Sequence, residues 1–160
     1  MFSWKYFSAT FILAVISVNA ETHTVHFTNN CGQGTPTLLQ NGNVLSTGSD
    51  FTVDGLLNNA VAFLQTGSCG SAGEGCTLVE LSLANPTGPG TGSFADLSLI
   101  SPHAFSVPTG FNFFNGCEGR SASCTTADCS SAFHGPTDSQ KEVACDTNNR
   151  DVNLEISFCA

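Results

Sequence analysis

The stretch TLVELSLANPTGPGTGSFADLSL, residues 77–99, decides the fold. Val79, Leu81 and Leu83 alternate with Glu80 and Ser82, and Ala95, Leu97 and Leu99 alternate with Asp96 and Ser98. A period of two, apolar on one side and polar on the other, marks a strand that lays one face on a core. The Pro- and Gly-rich segment between the two runs breaks both, so the unit reads as an antiparallel hairpin. Setting Glu80 opposite Asp96 places Ser82 opposite Phe94 and leaves a loop of roughly Asn85 to Thr91. Opposed residues hold their Cβ atoms about 4.5–5.5 Å apart. Two carboxylates that close repel, which raises one pKa and leaves an acid beside a base.

The same rhythm continues on either side. His23, Val25 and Phe27 alternate with Thr24, His26 and Thr28, and Val152, Leu154, Ile156 and Phe158 alternate with Asp151, Asn153, Glu155 and Ser157. Shorter runs occupy 43–46, 50–54 and 60–66, with Gly, Asn, Pro and Ser between them. No segment carries a helical stripe. Many short strands, each with one wet face, predict a single all-β domain, an antiparallel sandwich or barrel. Residues 116–141 break the pattern and read as an irregular, cysteine-stapled loop region.

Residues 1–20 read as a signal peptide: Lys5, an apolar run from Phe7 to Val18, then the small-residue site Val18-Asn19-Ala20. The mature domain is therefore expected over 21–160, secreted and extracellular. All 13 acids follow the leader, and removing Lys5 takes the net charge of −9 to about −10. Only Arg120, Lys141 and Arg150 remain as strong cations, too few and too scattered for a phosphate groove. Nucleic acid and anionic membrane are thus excluded as partners, and neutral or cationic ones stay open. The expected form is a monomer.

Eight cysteines, at 31, 69, 76, 117, 124, 129, 145 and 159, follow the leader. An even number after a signal peptide predicts four disulfides. Cys31 and Cys159 close the first and last strands, and a bridge between them would close almost the whole chain. Cys69 and Cys76, flanking GSAGEG, most simply pair with each other. Sequence alone leaves about 105 pairings open.

Cofactor and metal sites are not expected. No Cys-x-x-Cys occurs, and His23 and His26 point to opposite faces of one strand. An N-terminal copper site would also need cleavage before His23, with Thr22 at the position that prefers small residues. His103 and His134 sit beside prolines without companion ligands. No Gly-x-Ser-x-Gly elbow is present for a serine hydrolase. In FNFFN, residues 111–115, Phe111 and Phe113 share a core face, and Phe114 points the other way, where its ring either packs into the core, the commoner use, or stacks on a sugar.

The ordered series HTVHFTNNC, TGSCGSAGEGC, TLVELSL, FADLSLISPHAFSVPTGF, CEGRSASCTTADC and EVAC…NLEISFC resembles the thaumatin-like family, in its short fungal form. The match runs over nearly all of 21–160. It implies a disulfide-stapled thaumatin-like sandwich of about ten or eleven strands. It also implies the pairs Cys31–Cys159, Cys69–Cys76, Cys117–Cys145 and Cys124–Cys129. Many plant members line a cleft with one Arg, one Glu and three Asp. Carried over, Glu80 matches the Glu and Asp96 matches one Asp. Ser93 stands where a companion Asp would be, Gln65 falls near the Arg, and the last Asp belongs to a part this chain lacks.

The resemblance implies a secreted carbohydrate-associated protein that contacts β-1,3-glucan or other cell-wall polysaccharide. Its contacts would be Glu80, Asp96, Gln65, Ser93 and Phe114, in a reduced acidic cleft. A second reading makes it a weak endo-β-1,3-glucanase, with Glu80 protonating the leaving oxygen and Asp96 as nucleophile or base. A third makes it an extracellular interaction protein, an effector, protease inhibitor or allergen-like scaffold, acting through loops such as Asn85 to Gly92. Two acids on an outer sheet face can also be plain solvated decoration.

Overall fold

The computed structural model describes residues 21–145 and 148–160; the expected leader, 1–20, lies outside them. Twelve strands and no helix occur among the described residues. They are β1 (Thr22–Asn29), β2 (Thr35–Gln40), β3 (Asn43–Ser46), β4 (Phe51–Asp54), β5 (Leu57–Gln65) and β6 (Leu78–Leu83) in the first half. The second half adds β7 (Phe94–Ser98), β8 (Thr109–Phe114), β9 (Ser121–Cys124), β10 (Ala132–Phe133), β11 (Val143–Ala144) and β12 (Asn153–Phe158).

The strands form two sheets. One has the order β4-β1-β12-β8-β9, and the other runs β10-β7-β6-β5-β2-β3, with β11 also on β7. Most neighbours are antiparallel, as alternation and short turns predict, but both sheets are mixed. Strand β1 runs parallel to β12, and β10 runs parallel to β7. Alternation sets which face a residue takes and carries no information on strand direction. Direction is forced only by a tight turn, and β1 and β12, though neighbours in the sheet, are the first and last strands in sequence.

The alternation explains the core. Val25, Phe27, Phe111, Phe113, Leu154 and Ile156 of the first sheet pack in one cluster with Leu38, Leu64, Val79, Leu81 and Leu97 of the second. Each such side chain taken out of water contributes about 1.5–3 kcal/mol. The structure is therefore a β-sandwich.

Two of its strands fall within 116–141, where the sequence predicted only irregular loop. Strand β9 pairs with β8, and β10 pairs with β7. SASC is built of small residues and Ala132–Phe133 is two residues long, so neither shows the alternation that reveals a strand. Strand β2, TPTLLQ, was also hidden: it contains a proline, and Leu38 and Leu39 are both buried although they face opposite ways. Leu38 joins the main core, and Leu39 joins a second, smaller one.

Four disulfides staple the domain: Cys31–Cys159, Cys69–Cys76, Cys117–Cys145 and Cys124–Cys129. No free cysteine remains. The first joins residues 128 apart in sequence, just past the ends of the parallel pair β1 and β12. On the chain-entropy model such a closure contributes roughly 4–5 kcal/mol. Four disulfides fit an oxidising compartment outside the cytosol.

The second core lies on the outer face of the larger sheet. Leu39, Phe63, Cys76 and Leu78 are buried there, with Val61 and Cys69 packed against them. The Cys69–Cys76 loop forms its roof. At Gly73, φ +87°, an added Cβ would sit 2.7 Å from Leu78 and 2.9 Å from Phe63, so only glycine lets the backbone come this close. One residue pair further along the same face stand the two acids.

Candidate functional site: an acidic hollow on the larger sheet

Strands β5, β6, β7 and β11 build the site. The registers Val61↔Glu80 and Glu80↔Asp96 set Glu80 directly beside Asp96 on the face opposite the main core. Ser82 opposes Phe94 in the same hairpin. Ser93 fixes its base: its Oγ accepts from the Ala84 N–H at 3.1 Å and donates to the Ala84 carbonyl at 3.2 Å. The loop beyond is moored to the domain, because the Asn85 N–H donates to Glu21 and the Asn85 side chain donates to Asp151 Oδ1.

An open hollow of about 240 Å³ lies over this face, lined by Asn59, Val61, Glu80, Ser82, Phe94 and Asp96 among others. Asp96 is only 6% exposed, and its Oδ1 is buried without a hydrogen-bond partner among the described residues. Burial pushes the Asp96 carboxyl up to about 7, with the neighbouring Glu80 charge and a hydrogen bond to Glu80 adding to the shift. Asp96 thus keeps its proton up to near neutrality. Glu80, half-buried, lines the same hollow.

A third acid joins them. Strand β6 takes one edge of β7 along its length, so β10 and β11 share the other. In β11, Val143 opposes Ala95 and Ala144 opposes Phe94. Continuing that register puts Glu142 beside Asp96, and its charge also raises the Asp96 pKa. Glu80, Asp96 and Glu142 therefore form one row across three strands. Sequence reasoning missed Glu142, which precedes a two-residue strand whose alternation is too short to read. A second hollow, about 160 Å³, contains Glu142 with Thr91, Ser93 and Phe94. Phe94 lines both hollows.

The other expected contacts fall elsewhere. Gln65 is on the same face of β5 but four residues beyond Val61, about 13 Å along the strand. Its amide is spent on the disulfide loop, accepting from Gly67 N–H and Cys69 N–H and donating to the Cys69 carbonyl. Ser93 lines the smaller hollow with its hydroxyl committed to Ala84. Phe114, expected beside Glu80 and Asp96, does not stand with them. It ends β8 in the other sheet, where it lines a separate hollow with Thr24, His26, Asp50, Asn153 and Glu155. Its outward direction follows from alternation, whereas the sheet it joins is decided by pairing with β12.

The histidines serve structure. His23 is buried, with Nδ1 2.7 Å from the Val152 carbonyl, while the exposed His26 meets Asp50 at 2.6 Å. His103 Nδ1 lies 2.9 Å from the Gly73 carbonyl.

The chain matches no protein-family model and no curated protein. Among solved structures it is similar to the protein elicitor MoHrip2 from Magnaporthe oryzae. The two share a fold. The TM-score is 0.51 at 16% identity, and the alignment covers 88% of this chain and 100% of that one. At such identity the likeness speaks for the sandwich and leaves the acidic row to be argued from its own geometry.

Proposed function

We propose that this chain is a secreted thaumatin-like protein whose acidic hollow binds cell-wall polysaccharide, with β-1,3-glucan as the first ligand to try. The observation that carries this reading is the cross-strand pair Glu80 and Asp96 in an open hollow with one unsatisfied buried oxygen. A carboxyl and a carboxylate side by side both donate to and accept from sugar hydroxyls, and Phe94 supplies an apolar surface for a sugar face. The hollow is one sheet face with no opposing wall among its lining residues, which suits contact with a polymer strand more than enclosure of a reacting bond.

Retention on insoluble β-1,3-glucan tests the proposal. Wild-type protein is expected in the pellet, and the Glu80→Gln/Asp96→Asn double variant in the supernatant. Equal retention of both would remove the hollow from the account.

A second reading, slow endo-β-1,3-glucan hydrolysis, is favoured by one specific feature. With Asp96 held up to about 7, Asp96 rather than the expected Glu80 carries the proton for the leaving oxygen near neutral pH. This exchanges the two roles and leaves Glu80 as the facing nucleophile or base. Reducing ends that accumulate with wild type and vanish in Glu80→Gln would establish it. Failure of every polysaccharide to retain the protein would favour the third reading, an extracellular interaction protein; the neighbour of similar fold is by name a protein elicitor.

A further inference from the structure

We infer that the acidic row recognises a polysaccharide bearing free amines, an amino-sugar polymer with protonated ammonium groups, in preference to a neutral or N-acetylated one. The inference rests on the reading of the hollow as a polysaccharide site and specifies its ligand.

Three observations carry it. First, Glu80, Asp96 and Glu142 stand in one row, and among the described residues neither hollow is lined by a Lys, Arg or His. The nearest cation in sequence, Lys141, gives its ammonium to the Ser130 carbonyl. Second, Asp96 is more than nine-tenths buried, with Oδ1 lacking a donor among the described residues. An ammonium brings three donors and a positive charge to that oxygen, whereas a sugar hydroxyl brings one donor and leaves the repulsion among the acids in place. Third, the half-buried Phe94 ring is shared by two hollows, with Glu80 and Asp96 in one and Glu142 in the other. An aromatic face beside carboxylates is the usual setting for ammonium recognition, and two such sites flanking one ring fit successive residues of a chain that repeats its charge.

The test compares soluble glucosamine oligomers with their fully N-acetylated counterparts by calorimetry, at an ionic strength high enough to screen the protein's overall charge. Four proteins are used: wild type, Glu80→Gln/Glu142→Gln, Phe94→Leu, and a charge-matched control, Asp50→Asn/Asp54→Asn, whose changes lie by the other sheet. The expected result is binding of the free-amine oligomer about tenfold tighter than the acetylated one, about 1.4 kcal/mol. That preference is lost in Glu80→Gln/Glu142→Gln, weakened in Phe94→Leu and kept in the control. Equal binding of both oligomers overturns the inference while leaving the polysaccharide reading intact. Equal loss in the control shows that net charge alone is at work and also overturns it. Oligolysine of matched charge binding as tightly as the amino sugar assigns the row to cationic peptide instead. Binding of neither oligomer, with retention on β-1,3-glucan preserved, overturns the inference alone; loss of both removes the two readings together.

Discussion

Asp96 lies directly across from Glu80, buried on the outer face of the larger sheet, and burial beside that acid raises its pKa to about 7. Such an arrangement costs stability, because a second ionisation would leave two negative charges side by side in partial burial. A fold with a large alternating core and four disulfides tolerates that cost.

The cost shows in the pH dependence of stability. The Asp96 pKa rises from 3.8 to about 7 on folding, so between those values the folded state holds a proton the unfolded state has released. Its contribution is therefore fully present below pH 3.8, declines as pH rises through that window, and is gone above about 7. Glu80 and Glu142 are the charged groups facing it. Denaturant unfolding of wild type and Asp96→Asn across the window should show the wild type losing ground steadily. Above about pH 7 the variant should be the more stable by about 1–3 kcal/mol. Parallel curves would mean that Asp96 ionises normally.

Glu80→Gln removes one of the causes. The Asp96 carboxyl should then titrate lower than in wild type, by carbon NMR of the carboxyl. It should remain above the ordinary aspartate range, since burial is the largest cause of its shift. An unchanged titration would show that the two groups do not interact.

The roof of the second core gives a mutation independent of charge. Gly73→Ala drives a methyl into Phe63 and Leu78 at a backbone angle that side chains avoid. Overpacking with strain of this kind costs roughly 1–3 kcal/mol, measurable as a lower denaturation midpoint. A neutral effect would mean that the Cys69–Cys76 loop does not press on the sheet.

The closure of the domain can be measured as well. Replacing Cys31 and Cys159 together by Ala should destabilise by roughly 4–5 kcal/mol, whereas the same change at Cys124 and Cys129, five residues apart, should cost far less. Comparable losses would argue against an entropic origin.

Much of this was readable from alternation. The β6–β7 hairpin, its register and the facing of Glu80 and Asp96 all follow from Val79-Glu80-Leu81 and Ala95-Asp96-Leu97 around a Pro- and Gly-rich loop. What stayed hidden lacked that signal. Glu142 precedes a strand of two residues, and β9 is built of small ones. The parallel pairing of β1 with β12, and the placement of Phe114 on the opposite sheet, depend on long-range partners that a local period cannot specify.

The most direct test follows the Asp96 carboxyl carbon by NMR as pH is varied, with and without a soluble β-1,3-glucan oligosaccharide. The account predicts a transition near about 7 in the free protein that moves when the sugar is added. A transition near 3.8, or one the sugar leaves in place, would contradict it.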